Sequence, residues 1–176
     1  IRVLAAVGPS RPDAAATHVA NDPRAQRYVR SMTKNQIFKK QPGILDLILG
    51  ALHLVTDNRA SVFDGDGVAN GTRAELVDVV LAEGAVVHLD DLPGNDGVHR
   101  VCASDVVGLV FRHTLPRLRK KKLFTTLPTG CFQVIPMASK TTVDFRKRGK
   151  VRISYVSFPV APAPILTGHK WQGQST

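Results

Sequence analysis

The chain has 176 residues, 43% of them hydrophobic, enough for one ordinary domain with a buried core or for a small domain carrying pieces of another. Its 24 Lys and Arg against 14 Asp and Glu give a formal net charge of +10, which points to an anionic partner, nucleic acid being the commonest for a soluble basic domain; a basic surface that only aids solubility is the alternative. Two cysteines, Cys102 and Cys131, with no CxxC, argue against a disulfide framework and a structural zinc and suit free thiols in a reducing compartment.

In chain order, "IRVLAAVGPSRPD" reads as a short apolar strand and then a turn. "DPRAQRYVRSMTKNQIFKK" reads as a basic helix starting after Asp22 with Pro23 at its first position. From Gly43 the pattern becomes β-like: "ILDLIL", a break at Gly50, then "ALHLVT". "DNRASVFDGDGVANGT" is a polar loop whose Asn70-Gly71 pair is expected to supply the positive φ angles of a tight turn. "RAELVDVVL" and "AVVHLD" are strands flanking a Glu83-Gly84 turn, "DDLPGNDG" is a loop, and "VVGLVF", "CFQVIPM", "TTVDF" and "VRISYVSF" are further short strands. Prolines 159, 162 and 164 impose an extended passage into the polar stretch Thr167–Thr176. Short strands with close turn signals describe a small all-β barrel or sandwich.

The cations are clustered. Arg117, Arg119, Lys120, Lys121 and Lys122 form one run and Arg146, Lys147, Arg148, Lys150 and Arg152 another, while the acids gather between Asp57 and Asp105. Two basic runs suit a surface that follows a phosphate backbone. The longest apolar stretch, "ILDLILGALHLV", is interrupted by Asp46 and His53 and is too short to cross a bilayer. With no secretory pattern either, an intracellular protein with no membrane partner is expected, and the start at Ile1 rather than Met suggests a fragment.

Few catalytic patterns fit. "DGDG" at Asp64–Gly67 fails as a calcium loop because Val68 and Ala69 occupy positions that need a ligand and a glycine. His53, His88, His99 and His113 stand singly and read as packing or surface residues. GxSxG, HExxH and the phosphate cradle GxxxxGK[ST] are all absent. In "TGHKWQGQST", by contrast, Thr167, His169, Lys170 and Gln172 offer four kinds of donor while Gly168 and Gly173 permit close backbone approach. Such a loop binds phosphate oxygens when a helix follows it; an ordinary polar tail is the other reading.

"LTGHKWQGQST" resembles the T-x-H-K-x-Q-G-x-T motif in the second RecA-like domain of Pif/RecD-type superfamily 1 DNA helicases, including relatives carried by Helitron-type transposons. "VSFPVAPAPI" is similar to the Phe-Pro-Leu/Val stretch that leads into that motif. "GILDLILGALHLVTDN…GVANGTRAEL" resembles the family block that opens a Src-homology-3-like barrel inserted into the second RecA-like domain. The three matches stand in order and cover most of residues 43–176. The chain departs from the pattern at His53, Ala74, Pro164 and Trp171, and it has no acidic metal-holding segment and no arginine-bearing motif after the Gln-Gly loop.

The resemblance implies a mainly β fold: a small Src-homology-3-like barrel inserted in a partial α/β RecA-like domain. Residues 1–36 would be a linker or a remnant of the second RecA-like domain, 37–157 the inserted barrel, and 158–176 the re-entry into the RecA-like domain. It further implies a fragment of an ATP-dependent 5′–3′ DNA helicase of DNA repair and recombination, nuclear if eukaryotic and not catalytically competent alone. ATP and Mg2+ would serve the intact enzyme, and this chain alone would need no cofactor. Single-stranded DNA and the missing first RecA-like domain would be the partners. By the same resemblance Thr167, His169 and Lys170 would meet the DNA strand, Gln172 and Gly173 would couple to the nucleotide cleft, and Arg117, Arg119, Lys120, Lys121, Arg146 and Arg148 would add affinity; Trp171 would stack on a base or anchor the loop. The competing expectation is a non-enzymatic basic β-barrel module derived from a helicase, binding nucleic acid or protein.

Overall fold

A computed structural model describes residues 1–9, 21–31, 42–59, 68–89, 97–145 and 149–163. The elements in chain order are β1 (Arg2–Leu4), β2 (Ala6–Pro9), α1 (Pro23–Ser31), β3 (Ile44–Asp46), β4 (Leu52–Val55), β5 (Arg73–Leu81), β6 (His88–Leu89), β7 (His99–Cys102), a 3-10 turn (Ala103–Asp105), β8 (Val106–His113), α2 (Pro116–Arg119), β9 (Cys131–Val134), β10 (Met137–Phe145), β11 (Gly149–Ser157) and β12 (Val160–Pro162). The protein is mainly β, as its composition implies.

The strands form three sheets, ordered β3-β1-β7-β6, β10-β11-β2 and β12-β4-β5-β8-β9. All pairings are antiparallel except β1 with β7. Among the described residues, each of these sheets is open rather than closed on itself. Strands from the segments 1–36, 37–157 and 158–176 are hydrogen-bonded together: β2 to β11, β1 to β3 and β7, and β12 to β4.

Two apolar cores hold the layers. Val3, Leu45 and Val101 from the four-stranded sheet pack with Val55, Leu76, Leu109, Phe111, Phe132, Val134 and Val160 from the five-stranded one. Each such side chain contributes roughly 1.5–3 kcal/mol when fully buried. The second core is smaller: Ala25 and Val29, one helical turn apart on α1, meet Ala5, between β1 and β2, and Ile153 and Tyr155 of β11. α1 begins where its sequence requires. Pro23 has no N–H to leave unpaired, and the Asp22 carboxylate accepts from the Arg24 N–H at 2.8 Å.

The "VTDN…NGT" block proves to be a backbone clasp. Asn58 Oδ1 accepts from the Asn70 N–H at 2.7 Å, and Asp57, itself buried, accepts from the Arg59 N–H at 3.0 Å. The Gly71 N–H donates to the Val55 carbonyl, and the Thr56 N–H reaches Pro159 of the segment leading into β12. The turn differs from expectation. Only Gly71 of the pair has a positive φ, of 94°, and the Thr72 N–H bonds to the Ala69 carbonyl at 2.9 Å, the pattern of a type II turn with glycine third. A two-residue hairpin turn with both φ positive requires strands on either side of it, and β4 ends at Val55 whereas β5 begins at Arg73.

Two other expectations change, and one strand was not foreseen. "AVVHLD" yields only the two-residue β6, since Val86 and Val87 are 56% and 42% exposed and no layer among the described residues covers them. "CFQVIPM" divides around Pro136, which has no N–H to offer the ladder, so Met137 starts β10. β7 carries no alternation long enough to read, and it is fixed instead by its parallel pairing with β1, about a hundred residues earlier.

His53 is buried in the five-stranded sheet, its Nδ1 3.0 Å from the Ala51 carbonyl and its ring edge-on to Phe111 at 5.7 Å. Burial lowers its pKa from the ordinary 6.5, only partly offset by the backbone carbonyls of Ala51 and Asp46. The unfolded chain therefore binds the extra proton first. Stability is full above about 6.5 and falls as pH drops through the interval down to the folded value. Melting temperatures across a pH series are expected to show this fall, and His53→Gln is expected to flatten it; an unchanged profile in that variant would remove His53 as its source.

Candidate nucleic-acid interface

Between Asp105 and Asp144 the chain contains no acidic residue and seven cations, so charge of one sign accumulates along β8, the β8–β9 connection and β10. The connection, residues 114–130, holds five of the seven. Pro116 opens the single-turn helix α2, and the Arg119 N–H closes on the Leu115 carbonyl at 2.9 Å. The Lys121 N–H then bonds to Leu118, the Gly130 N–H to the Lys121 carbonyl at 2.9 Å, and the His113 N–H to the Gly130 carbonyl at 2.9 Å. The segment is thus folded back onto the base of its own hairpin by main-chain bonds. At its root, Thr114 Oγ1 donates to the Arg73 carbonyl at 3.1 Å.

Gly130 makes that closure possible. Its φ is +74°, and a Cβ there would lie 2.3 Å from the Arg119 carbonyl oxygen and 2.7 Å from the Arg119 Cα. No other residue offers both the conformation and the space.

Because backbone does the holding, the cationic side chains remain outside. Arg117, Arg119, Lys120, Lys121 and Lys122 are all exposed. Arg119 lies 3.8 Å from a Glu75 carboxylate oxygen, an open pair that leaves its charge mostly available. Lys122 donates its ammonium to the Leu127 carbonyl and so braces the connection. Arg117, Lys120 and Lys121 have no hydrogen-bond or ion-pair partner for their side chains among the described residues. The platform below is stiff: Phe111 stacks on Phe132 with centroids 5.8 Å apart, and the His113 ring sits 4.6 Å from Phe132.

The second basic run is described in part. Lys150 and Arg152 are exposed on β11, opposite Asp144 and Thr142, and Lys140 on β10 is exposed opposite Ser154, so Lys140, Lys150 and Arg152 share one face of the hairpin. Arg146, Lys147 and Arg148 lie outside the described residues, as do Asp64–Gly67, Thr167, His169, Lys170, Trp171, Gln172 and Gly173. Lys140 escapes a reading of the sequence because it stands alone in the chain, and only strand register brings it beside Arg152. Among the described residues no group of three or more His, Cys, Asp or Glu side chains is placed to hold a metal ion, and no helix is long and apolar enough to cross a membrane.

No protein-family model and no curated protein matches the chain. In the solved structures the chain is similar to the Pif1 helicase from Candida albicans, with a TM-score of 0.44 and 19% identity, over 99% of this chain and 31% of that one. The chain therefore spans about a third of that helicase's length. A likeness this loose decides neither fold nor function.

Gly130→Ala is expected to destabilise the protein by about 2–4 kcal/mol, the sum of a left-handed backbone penalty and a clash with main chain that cannot move aside. Gly50, with a φ of +77° but open space around it, provides the control, and its Ala variant is expected to lose only about 1 kcal/mol. Equal denaturation midpoints for the two variants would refute the close approach of Gly130 to Arg119.

Proposed function

We propose that the chain is the strand-gripping part of an ATP-dependent 5′–3′ DNA helicase of the Pif/RecD type, built around the inserted barrel and the re-entry into the second motor domain. The observation that carries this reading is the exposed, acid-free basic connection between β8 and β9, together with the order of the family-like blocks "VTDN…NGT", "VSFPV" and "TGHKWQG". Single-stranded DNA is the partner this surface suits. Its cations lie on a pinned loop and an open sheet face, where they meet phosphates in sequence without reading bases.

In this reading Arg117, Arg119, Lys120 and Lys121 supply affinity, joined by Arg146 and Arg148 and by Lys140, Lys150 and Arg152. Thr167, His169 and Lys170 touch the tracked strand, and Gln172 and Gly173 face the nucleotide cleft, which is completed by the first RecA-like domain of the parent enzyme. ATP and Mg2+ belong to that shared cleft. In a eukaryote the enzyme would work in the nucleus, in DNA repair or recombination.

Binding of the chain to a single-stranded oligonucleotide is expected to weaken steeply between low and physiological salt. Replacing Arg117, Lys120 and Lys121 together by Gln is expected to lower the slope of log affinity against log salt by about 2, roughly 0.7 for each phosphate that a cation no longer neutralises. An unchanged slope would take the β8–β9 connection out of the interface.

In the full-length helicase, His169→Ala with Lys170→Ala is expected to abolish stimulation of ATP hydrolysis by DNA while basal hydrolysis persists. Stimulation at the wild-type level would show that the terminal loop does not couple the two sites.

A further inference from the structure

A second basic place is assembled from residues far apart in the chain. Register across the four-stranded sheet sets Asp46, Arg2, Arg100 and His88 side by side on one face, with Ile44, Leu4 and Cys102 in the adjoining row. The opposite face sends Val3, Leu45 and Val101 into the core. Asp46 takes up Arg2, accepting from its Nε at 2.7 Å and from a terminal nitrogen at 3.3 Å. The other end of the row, Arg100 and His88, borders a cleft of about 340 Å³ whose walls include Leu4, Cys102, Asp105 and, from the last turn of α1, Arg30.

Arg30 is the unexplained group. Its Nε is buried and has no hydrogen-bond partner among the described residues. A buried donor left unmade costs about 1–3 kcal/mol, more when charged, and native structures seldom keep one without a ligand, ion or water. The helix cannot shift to relieve it. Ala25 and Val29 are fully buried, and Gly43 lies so close beneath the helix end that a Cβ there would be 1.9 Å from the Val29 carbonyl oxygen and 2.9 Å from the Arg30 Cα. Arg100 lines the same cleft and has interactions of its own. Asp105 is the one acid on the described wall, and its carboxylate accepts from Ser104 Oγ at 3.2 Å. Among the described residues, two guanidinium groups and one carboxylate line the cleft, so its described wall carries more positive than negative groups.

We propose that this cleft binds a single phosphate group, with Arg30 and Arg100 donating to its oxygens and His88 closing the rim. The planar, weakly hydrated guanidinium suits phosphate oxygens better than an ammonium would. The phosphate is either the terminal phosphate of a nucleic-acid strand or a free small anion. The site is separate from the β8–β9 connection and does not depend on it.

The test uses the whole chain at fixed ionic strength. Inorganic phosphate is titrated by calorimetry, and 5′-phosphorylated and 5′-hydroxyl forms of one oligonucleotide are compared with phosphate as competitor. Saturable phosphate binding is expected, weakened about tenfold by Arg30→Gln and also by Arg30→Lys, which keeps the charge but loses the Nε–H, and unchanged by Lys120→Gln or Lys121→Gln. If the Arg30 variants fail to fold by circular dichroism, His88→Gln, at an exposed position, decides the matter with an expected loss of about threefold. A 5′-phosphate preference erased by competing phosphate assigns the strand end, and a response to inorganic phosphate without that preference assigns the free anion; both support the site. Absence of phosphate binding, or binding equally strong in the variants, overturns it. Salt-dependent strand binding that phosphate does not compete away would leave the helicase reading standing while this site fails.

Discussion

The close approach of Gly130 to Arg119 is the constraint on which the candidate interface depends. Five neighbouring cations repel one another, and left to themselves they extend into water. Here they are gathered by a chain of main-chain bonds, from Arg119 to Leu115, Lys121 to Leu118, Gly130 to Lys121 and His113 to Gly130. That chain closes only because the residue before β9 has no side chain. Had side-chain ion pairs done the same job, the charges would have been neutralised by it. Backbone closure does most of the fixing and leaves the side chains of Arg117, Lys120 and Lys121 without a partner among the described residues.

The closure in turn needs a base that does not yield. β8 is buried along most of its length, and Phe111, Phe132 and His113 interlock where the connection leaves it and β9 receives it back. Packing of this density transmits little movement, so the loop is held to a fixed edge of the five-stranded sheet. On the far side of the same sheet the Asn58 and Asp57 clasp ties β4 to the start of β5 and to the segment before β12. The family-like "VTDN…NGT" block thus has a structural explanation that stands apart from any ligand: its polar side chains are occupied by main-chain donors.

What was legible in the sequence is what the chain encodes locally. The start of α1 at Pro23, the long strands β5, β8 and β11 and the break at Gly50 follow from a cap, an alternation or a glycine within a few residues. The basic connection was legible for the same reason, since Arg117–Lys122 are adjacent in the chain. β7 was not, because four residues pinned by a parallel partner about a hundred positions away carry no local pattern. Asn70-Gly71 was legible in part: the tight turn forms, with positive φ at Gly71 alone, and Asn58, twelve residues upstream, accepts from the Asn70 N–H. Lys140 near Arg152 on one hairpin face, and Arg30 and Arg100 on the wall of one cleft, belong to the same class, brought together by the fold and far apart in the sequence. The stretch "TGHKWQG" lies outside the described residues, so its part rests on the residues themselves and on the resemblance they carry.

The two basic places use charge in different physical regimes. On the β8–β9 connection each cation is surrounded by water, so its attraction to a phosphate is weak, additive and screened within a distance of about 8–10 Å at ordinary salt. Such a surface grips a strand at many points and releases it point by point, which suits a partner that must slide. The cleft under α1 holds its guanidinium partly away from solvent, where a single charge interaction is stronger and less screened, and where a bond left unmade is penalised. A site of that kind favours one well-placed anion over a moving strand. Under the two proposals the same excess of Lys and Arg would serve mobility where it is exposed and selectivity where it is buried, with burial rather than net charge deciding which.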